Sequence, residues 1–196
     1  NDVNPDALEA ALGVIKKNML RQAKSGKITE TDQIEALLRI KRTPRIEDLG
    51  ACDLIIEAAT EDERIKQKIF DRLLPHLSQH TILTSNTSSI SITRLASRTD
   101  RPEKFLGFHF MNPVPVMQLV ELIRGIATDQ ETYDICQTVV DTLGKTAASA
   151  EDFPAFIVNR ILMPMINEAV YTLYEGVGSV QSIDKSMRLG ANHPMG

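Results

Sequence analysis

The sequence predicts an α/β fold: a doubly wound, mostly parallel sheet followed by the start of an all-α domain. Three observations carry this. Short apolar runs alternate with helical spacings from Leu54 to Leu143, as in strands that are buried on both faces and linked by helices. Past the turn-like Glu151-Asp152-Phe153-Pro154, only helical spacing continues. The composition, 42% hydrophobic and 24% charged over 196 residues, is that of an ordinary globular chain of one to two domains.

Taken in order, Asn4-Pro5-Asp6 supplies a cap and a proline at the first helical position. Leu8, Leu12, Ile15, Met19 and Leu20 then follow at helical spacing until Ser25-Gly26. Thr29 to Arg39 reads as a second, shorter helix. Leu54-Ile55-Ile56 is a strand, Ile65 to Leu77 a helix and Thr81 to Thr84 a second strand. A short helix over Ser91–Ala96 precedes strands at Phe105–Phe110 and Leu119–Ile123. Thr132 to Leu143 is a helix ended by Gly144. Helices at Phe156–Tyr174 and Ser182–Leu189 complete the chain. The expected division is residues 1–150 and 151–196.

The balance of 22 basic and 26 acidic residues, net −4, argues against a dedicated nucleic-acid binder, which would carry a basic stripe. No apolar run approaches the roughly 18–20 residues of a membrane span. Cys52 and Cys136 match no metal spacing and, without a signal peptide, read as reduced cytoplasmic thiols. The chain begins at Asn1-Asp2 without Met, directly before a helix signal. It stops at His193-Pro194-Met195-Gly196, where a loop should lead onward. It therefore reads as the interior of a longer protein, and on its own it is expected to be inactive. Exposed apolar side chains such as Ile161, Leu162, Met165 and Ile166 are expected after residue 155.

In an open parallel sheet, ligands bind beyond the carboxyl ends of the strands. Here the first strand runs into Glu57 and Glu61, the second into Ser85-Asn86-Thr87-Ser88-Ser89, and the third into His109 and Asn112. At any one strand, turn formation accounts for such residues. Three strands together point to a site. His109 lies between Phe108 and Phe110, so it faces away from both. A carboxylate from the next strand, Glu121, on one imidazole nitrogen would fix the tautomer and leave the other nitrogen to exchange a substrate proton. Taken alone, Asp2 reads first as an ordinary helix-entry residue; the alternative is the acid that binds ribose hydroxyls at the end of a second strand, and the Gly-rich turn that would decide lies upstream of Asn1. Lys16, Lys17, Arg21, Lys24 and Lys27 form a local basic excess, either a solvated face or a phosphate contact.

The segments Ser85-Asn86-Thr87-Ser88-Ser89, Gly107 to Met117, Leu119-Val120-Glu121, Phe156-Ile157-Val158-Asn159-Arg160 and His193-Pro194-Met195-Gly196 resemble the L-3-hydroxyacyl-CoA dehydrogenases, closest to the bacterial 3-hydroxybutyryl-CoA branch. The resemblance runs from Asp2 to Gly196. It implies a Rossmann-like NAD-binding domain, lacking its N-terminal strand and Gly-rich turn, followed by the start of a helical substrate and dimerisation domain. The implied reaction is reversible, NAD-dependent oxidation of a (3S)-3-hydroxyacyl-CoA to the 3-oxoacyl-CoA, with a short acyl chain, as in fatty acid metabolism. His109 is the implied base, Glu121 its orienting partner, and Ser88 and Asn159 hold the reacting oxygen. Asp2, Glu61, Lys66, Ser88 and Asn112 are the implied NAD contacts; Ser88, Asn159 and Lys24 the implied substrate contacts. The implied assembly is a homodimer through the helical domain, with no metal. One departure is Ala155, where the family commonly has glycine; if that position needs positive φ, alanine carries a cost and helix entry at Phe156 shifts slightly, and Asn159 with it. Two other readings of the same scaffold stay open: a dehydrogenase of a small hydroxy acid or sugar acid, and a dinucleotide-binding protein without catalysis.

Overall fold

The computed structural model describes residues 1–196 as two compact units, Asn1–Asp152 and Phe153–Gly196. The first unit opens with a helical pair, α1 (Pro5–Lys24) and α2 (Glu30–Arg39). The Asn4 side chain accepts from the Asp6 N–H at 2.9 Å, and Thr29 and Asp32 form a reciprocal capping box. A sheet follows, with β1 (Leu54–Glu57), β2 (Ile82–Ser85), β3 (Phe105–Phe110), β4 (Leu119–Arg124) and β5 (Thr146–Glu151) side by side in chain order. Helix α3 (Glu63–Leu73) links β1 to β2, α4 (Ile92–Ala96) links β2 to β3, and α5 (Gln130–Thr142) links β4 to β5.

The pairings β1–β2, β2–β3 and β4–β5 are parallel, and β3–β4 is antiparallel. The sheet is thus mostly parallel and covered on both faces, as the alternation of apolar runs predicts. On one face Leu106, Phe108, Val120 and Leu122 meet Cys136 and Val140 of α5. Burial pushes the Cys136 thiol up to about 12, which makes it inert. On the other face Phe105 meets Phe70 of α3 edge-on at 5.2 Å. Gly107 lets α4 approach closely: a Cβ there would lie 2.8 Å from Ile123 Cβ and 2.9 Å from the Ile92 side chain. Alternation along β3 then puts His109 on this same α3–α4 face.

The four expected strands stand within one residue of their predicted ends. The structure adds β5, whose Thr146-Ala-Ala-Ser-Ala-Glu151 lacks the branched or aromatic residues that signal a strand. It also adds a 3-10 turn at Ile46–Ala51. Helix α3 starts earlier than expected, on the Asp62 cap, and stops at Leu73 rather than Leu77. Pro75, with no N–H to give, sits in a 3-10 turn over Leu74–His76.

In the second unit α6 (Val158–Tyr174) starts two residues later than the predicted Phe156. Ala155 has φ +66° and Phe156 φ +53°, so the turn before α6 is left-handed at two non-glycine residues. Ala155→Gly is expected to raise stability by about 1 kcal/mol, read as a higher denaturation midpoint at unchanged slope. Helix α7 (Val180–Lys185) is capped by Ser179 and passes into a π-helical turn at Ser186–Gly190, in place of the single helix expected over Ser182–Leu189. Ile161 and Ile166 are exposed, as expected, whereas Leu162 and Met165 are half-buried. No helix is long and apolar enough to cross a membrane.

Candidate active site

The antiparallel switch between β3 and β4 sets His109 directly opposite Glu121. Cross-strand neighbours on one face lie within side-chain reach, and here His109 Nδ1 is 2.8 Å from Glu121 Oε2. Glu121 is fully buried and His109 is 5% exposed. An ionised carboxylate only accepts, so the hydrogen belongs on Nδ1 and Nε2 becomes the acceptor. Ser88 Oγ, just beyond β2, lies 2.9 Å from Nε2. A hydroxyl from the second strand's rim, an imidazole from the third strand and a carboxylate from the fourth therefore form one line.

The loop that carries Ser88 is itself gathered by Glu61. Glu61 Oε1 accepts from Thr87 Oγ1 at 2.6 Å, Ser88 N at 2.9 Å, Ser89 N at 3.0 Å and Ser89 Oγ at 2.9 Å. Burial pushes this carboxyl's pKa up, but those hydrogen bonds and the Lys66 charge outweigh it, and the net shift is downward. Glu61 is thus a carboxylate at neutral pH. Lys66 lies behind it, 1% exposed, with its ammonium 2.9 Å from both Glu57 oxygens and 3.7 Å from Glu61 Oε2. Its charge acts on Glu61 from inside the fold.

Asn112 is exposed just past β3, joined to Pro113 by a cis peptide bond. Asn86, on the β2 side, accepts from the Phe110 N–H at 2.9 Å and ties the end of β3 to the loop. Asp2 is exposed, its Oδ1 accepting from the Asn4 N–H at 2.8 Å. It lines a groove of about 380 Å³ shared with Leu54, Ile56 and the small pair Ala58-Ala59 after β1. Lys24 is exposed in the last turn of α1. Asn159 stands in the first turn of α6, in the other unit.

The structure thus brings Ser88, His109, Glu121, Glu61 and Lys66 into one connected polar system. Sequence reasoning placed Glu57 on the rim without a role, and gave none to Thr87 or Ser89. It also missed Asp152, whose carboxylate accepts from Ser91 Oγ and the Ile92 and Thr93 N–H groups at the start of α4. Burial raises the Asp152 pKa, the hydrogen bonds lower it, and the net shift is downward.

The groove residues fit a dinucleotide. The Asp2 carboxylate in this lining can accept both hydroxyls of a ribose and would repel a 2′-phosphate, and Ala58 and Ala59 leave room for a close-lying chain.

The model of the 3-hydroxyacyl-CoA dehydrogenase NAD binding domain matches residues 1–153, and that of the C-terminal domain of the same enzymes matches residues 156–196. A 3-hydroxybutyryl-CoA dehydrogenase of Bradyrhizobium diazoefficiens is 57% identical over the whole chain, which spans 67% of that protein. A probable 3-hydroxybutyryl-CoA dehydrogenase of Bacillus subtilis is 49% identical, and the chain spans 68% of it. The crystal structure of (S)-3-hydroxybutyryl-CoA dehydrogenase from Ralstonia eutropha superposes with a TM-score of 0.97 at 45% identity, covering all of this chain and 69% of that one. The chain belongs to the 3-hydroxyacyl-CoA dehydrogenase family and is an NAD-dependent oxidoreductase.

Proposed function

We propose that the protein oxidises short-chain (3S)-3-hydroxyacyl-CoA esters such as 3-hydroxybutyryl-CoA, and reduces the 3-oxo esters in reverse. The observation that carries this is the line Ser88–His109–Glu121, with Nε2 of His109 2.9 Å from Ser88 Oγ at the rim of the sheet. Bound NAD supplies the hydride acceptor. His109 takes the proton of the 3-hydroxyl at Nε2 and returns it in the reverse direction. Glu121 holds the ring through Nδ1 and stabilises the imidazolium that forms. Ser88, 2.9 Å from Nε2, hydrogen-bonds the reacting oxygen. Glu61 and Asn112 line the nicotinamide half, Lys66 supports that half through Glu61, and Asp2 receives the adenosine ribose.

In this reading residues 1–150 form the NAD-binding domain, 151–196 begin the helical domain, and Asn159 is a substrate contact. Lys24 and its basic neighbours receive the CoA phosphates. The exposed Ile161 and Ile166 of α6 contribute to a homodimer interface. Two free thiols accord with a cytoplasmic setting.

The test is the rate of NADH oxidation by the full-length protein with acetoacetyl-CoA, beside free acetoacetate. Rapid loss of NADH with the CoA ester alone is expected. Equal rates with both, or none with either in a folded protein that binds NADH, would refute the assignment.

A further inference from the structure

Glu57 is a buried carboxylate to which the mechanism above gives no part. It closes β1, and each of its oxygens is committed. Oε1 accepts from Lys66 Nζ at 2.9 Å and from the Ala59 N–H at 2.6 Å. Oε2 accepts from Lys66 Nζ at 2.9 Å and from Ser85 Oγ at 2.6 Å. Its own carbonyl accepts from the Asn86 N–H at 2.7 Å. A buried ion pair is weak evidence of stabilisation, since desolvation offsets most of the attraction. What distinguishes this one is where its contacts lead.

Two routes run from Glu57 to the loop that carries Ser88. In the first, Lys66, locked between the two Glu57 oxygens, faces Glu61 Oε2 at 3.7 Å, and the other Glu61 oxygen gathers Thr87, Ser88 and Ser89. In the second, Ser85 Oγ gives its hydrogen to Glu57 and accepts from the Thr87 N–H at 3.3 Å. Both routes end on the backbone beside Ser88, whose Oγ is 2.9 Å from His109 Nε2. Lys66 lies inside the fold with its ammonium on these two acids.

We infer that Glu57 is a positioning residue: through Lys66–Glu61 and through Ser85 it sets the loop that holds Ser88 against His109. The inference rests on the assignment of His109 as the acid–base group. A small displacement of a positioned group costs rate out of proportion to its effect on folding.

The test uses the double variant Glu57→Gln/Lys66→Met in the full-length protein. It removes both charges at near-constant volume, an exchange that buried pairs tolerate. The amide that replaces the carboxylate can still accept from the Ala59 N–H and donate to Ser85. Three quantities are read: the thermal midpoint, the ¹⁵N resonance of His109 Nε2, which reports its hydrogen bond, and kcat and KM for acetoacetyl-CoA. The expected result is a folded variant with a displaced Nε2 resonance and kcat lower by roughly tenfold to a hundredfold. A folded variant with the wild-type resonance and wild-type kcat overturns the inference. Should the double variant not fold, Glu57→Asp, which keeps the charge and shortens its reach, decides by the same resonance. If the wild type itself does not reduce acetoacetyl-CoA, the functional assignment fails on that ground, and the His109 resonance still decides whether Glu57 positions the loop.

Discussion

Replacing His109 by glutamine is expected to lower kcat for acetoacetyl-CoA reduction by about 10²- to 10⁴-fold, the range a positioned acid–base group contributes, while NADH binding persists. The split follows from where the ring stands. His109 is 5% exposed, held by Glu121 on one nitrogen, and offers the other beside Ser88. The groove at Asp2 is lined by β1 and the segment after it and includes none of Ser88, His109 and Glu121. Fluorescence titration with NADH and steady-state turnover therefore separate the two roles. A variant that turned over at the wild-type rate would remove His109 from the chemistry.

Glu121→Gln is expected to fall nearly as far in kcat, by about 10²-fold or more, for a different reason. The amide still fills the buried space opposite His109, so the fold persists. It carries no charge, so the imidazolium formed on proton uptake loses its partner, and its N–H₂ end can hold the ring in the wrong tautomer. Glu121→Ala adds a stability loss of about 1–3 kcal/mol, because it leaves the His109 N–H without this acceptor in a buried place. Circular dichroism melts beside kcat distinguish the two variants: the glutamine variant is slow and stable, the alanine variant slow and less stable.

Much of this was legible in the sequence because the strands that carry the site are strongly marked. The run Phe105–Phe110 has the aromatic and apolar character of a buried strand, and its bounds in the structure are the predicted ones. The pairing of His109 with Glu121 could be suggested from two adjacent strands, but the antiparallel register that makes them face each other is a property of the chain's return path. Strand β5 escaped because Ala147, Ala148 and Ala150 carry no β signal; its place is set by pairing with β4. Glu57, Lys66 and Glu61 escaped as a unit because nothing in a spacing across a loop and a helix start fixes the distance between their charged ends. The left-handed turn at Ala155 was visible only as a conditional cost, which the backbone turns into a definite one.

The antiparallel register at β3–β4 has a consequence for how this site can change. A shift of one residue between the two strands would turn Glu121 to the α5 face and bring Val120 or Leu122 opposite the imidazole. The segment from Met111 to Gln118 between them can therefore vary outside Asn112 without parting the acid–base pair, provided both strands keep their pairing. The acid–base pair depends on the register of two central strands, which β2 and β5 flank. Any slip of that one pairing parts the base from its carboxylate while both residues stay in the sequence.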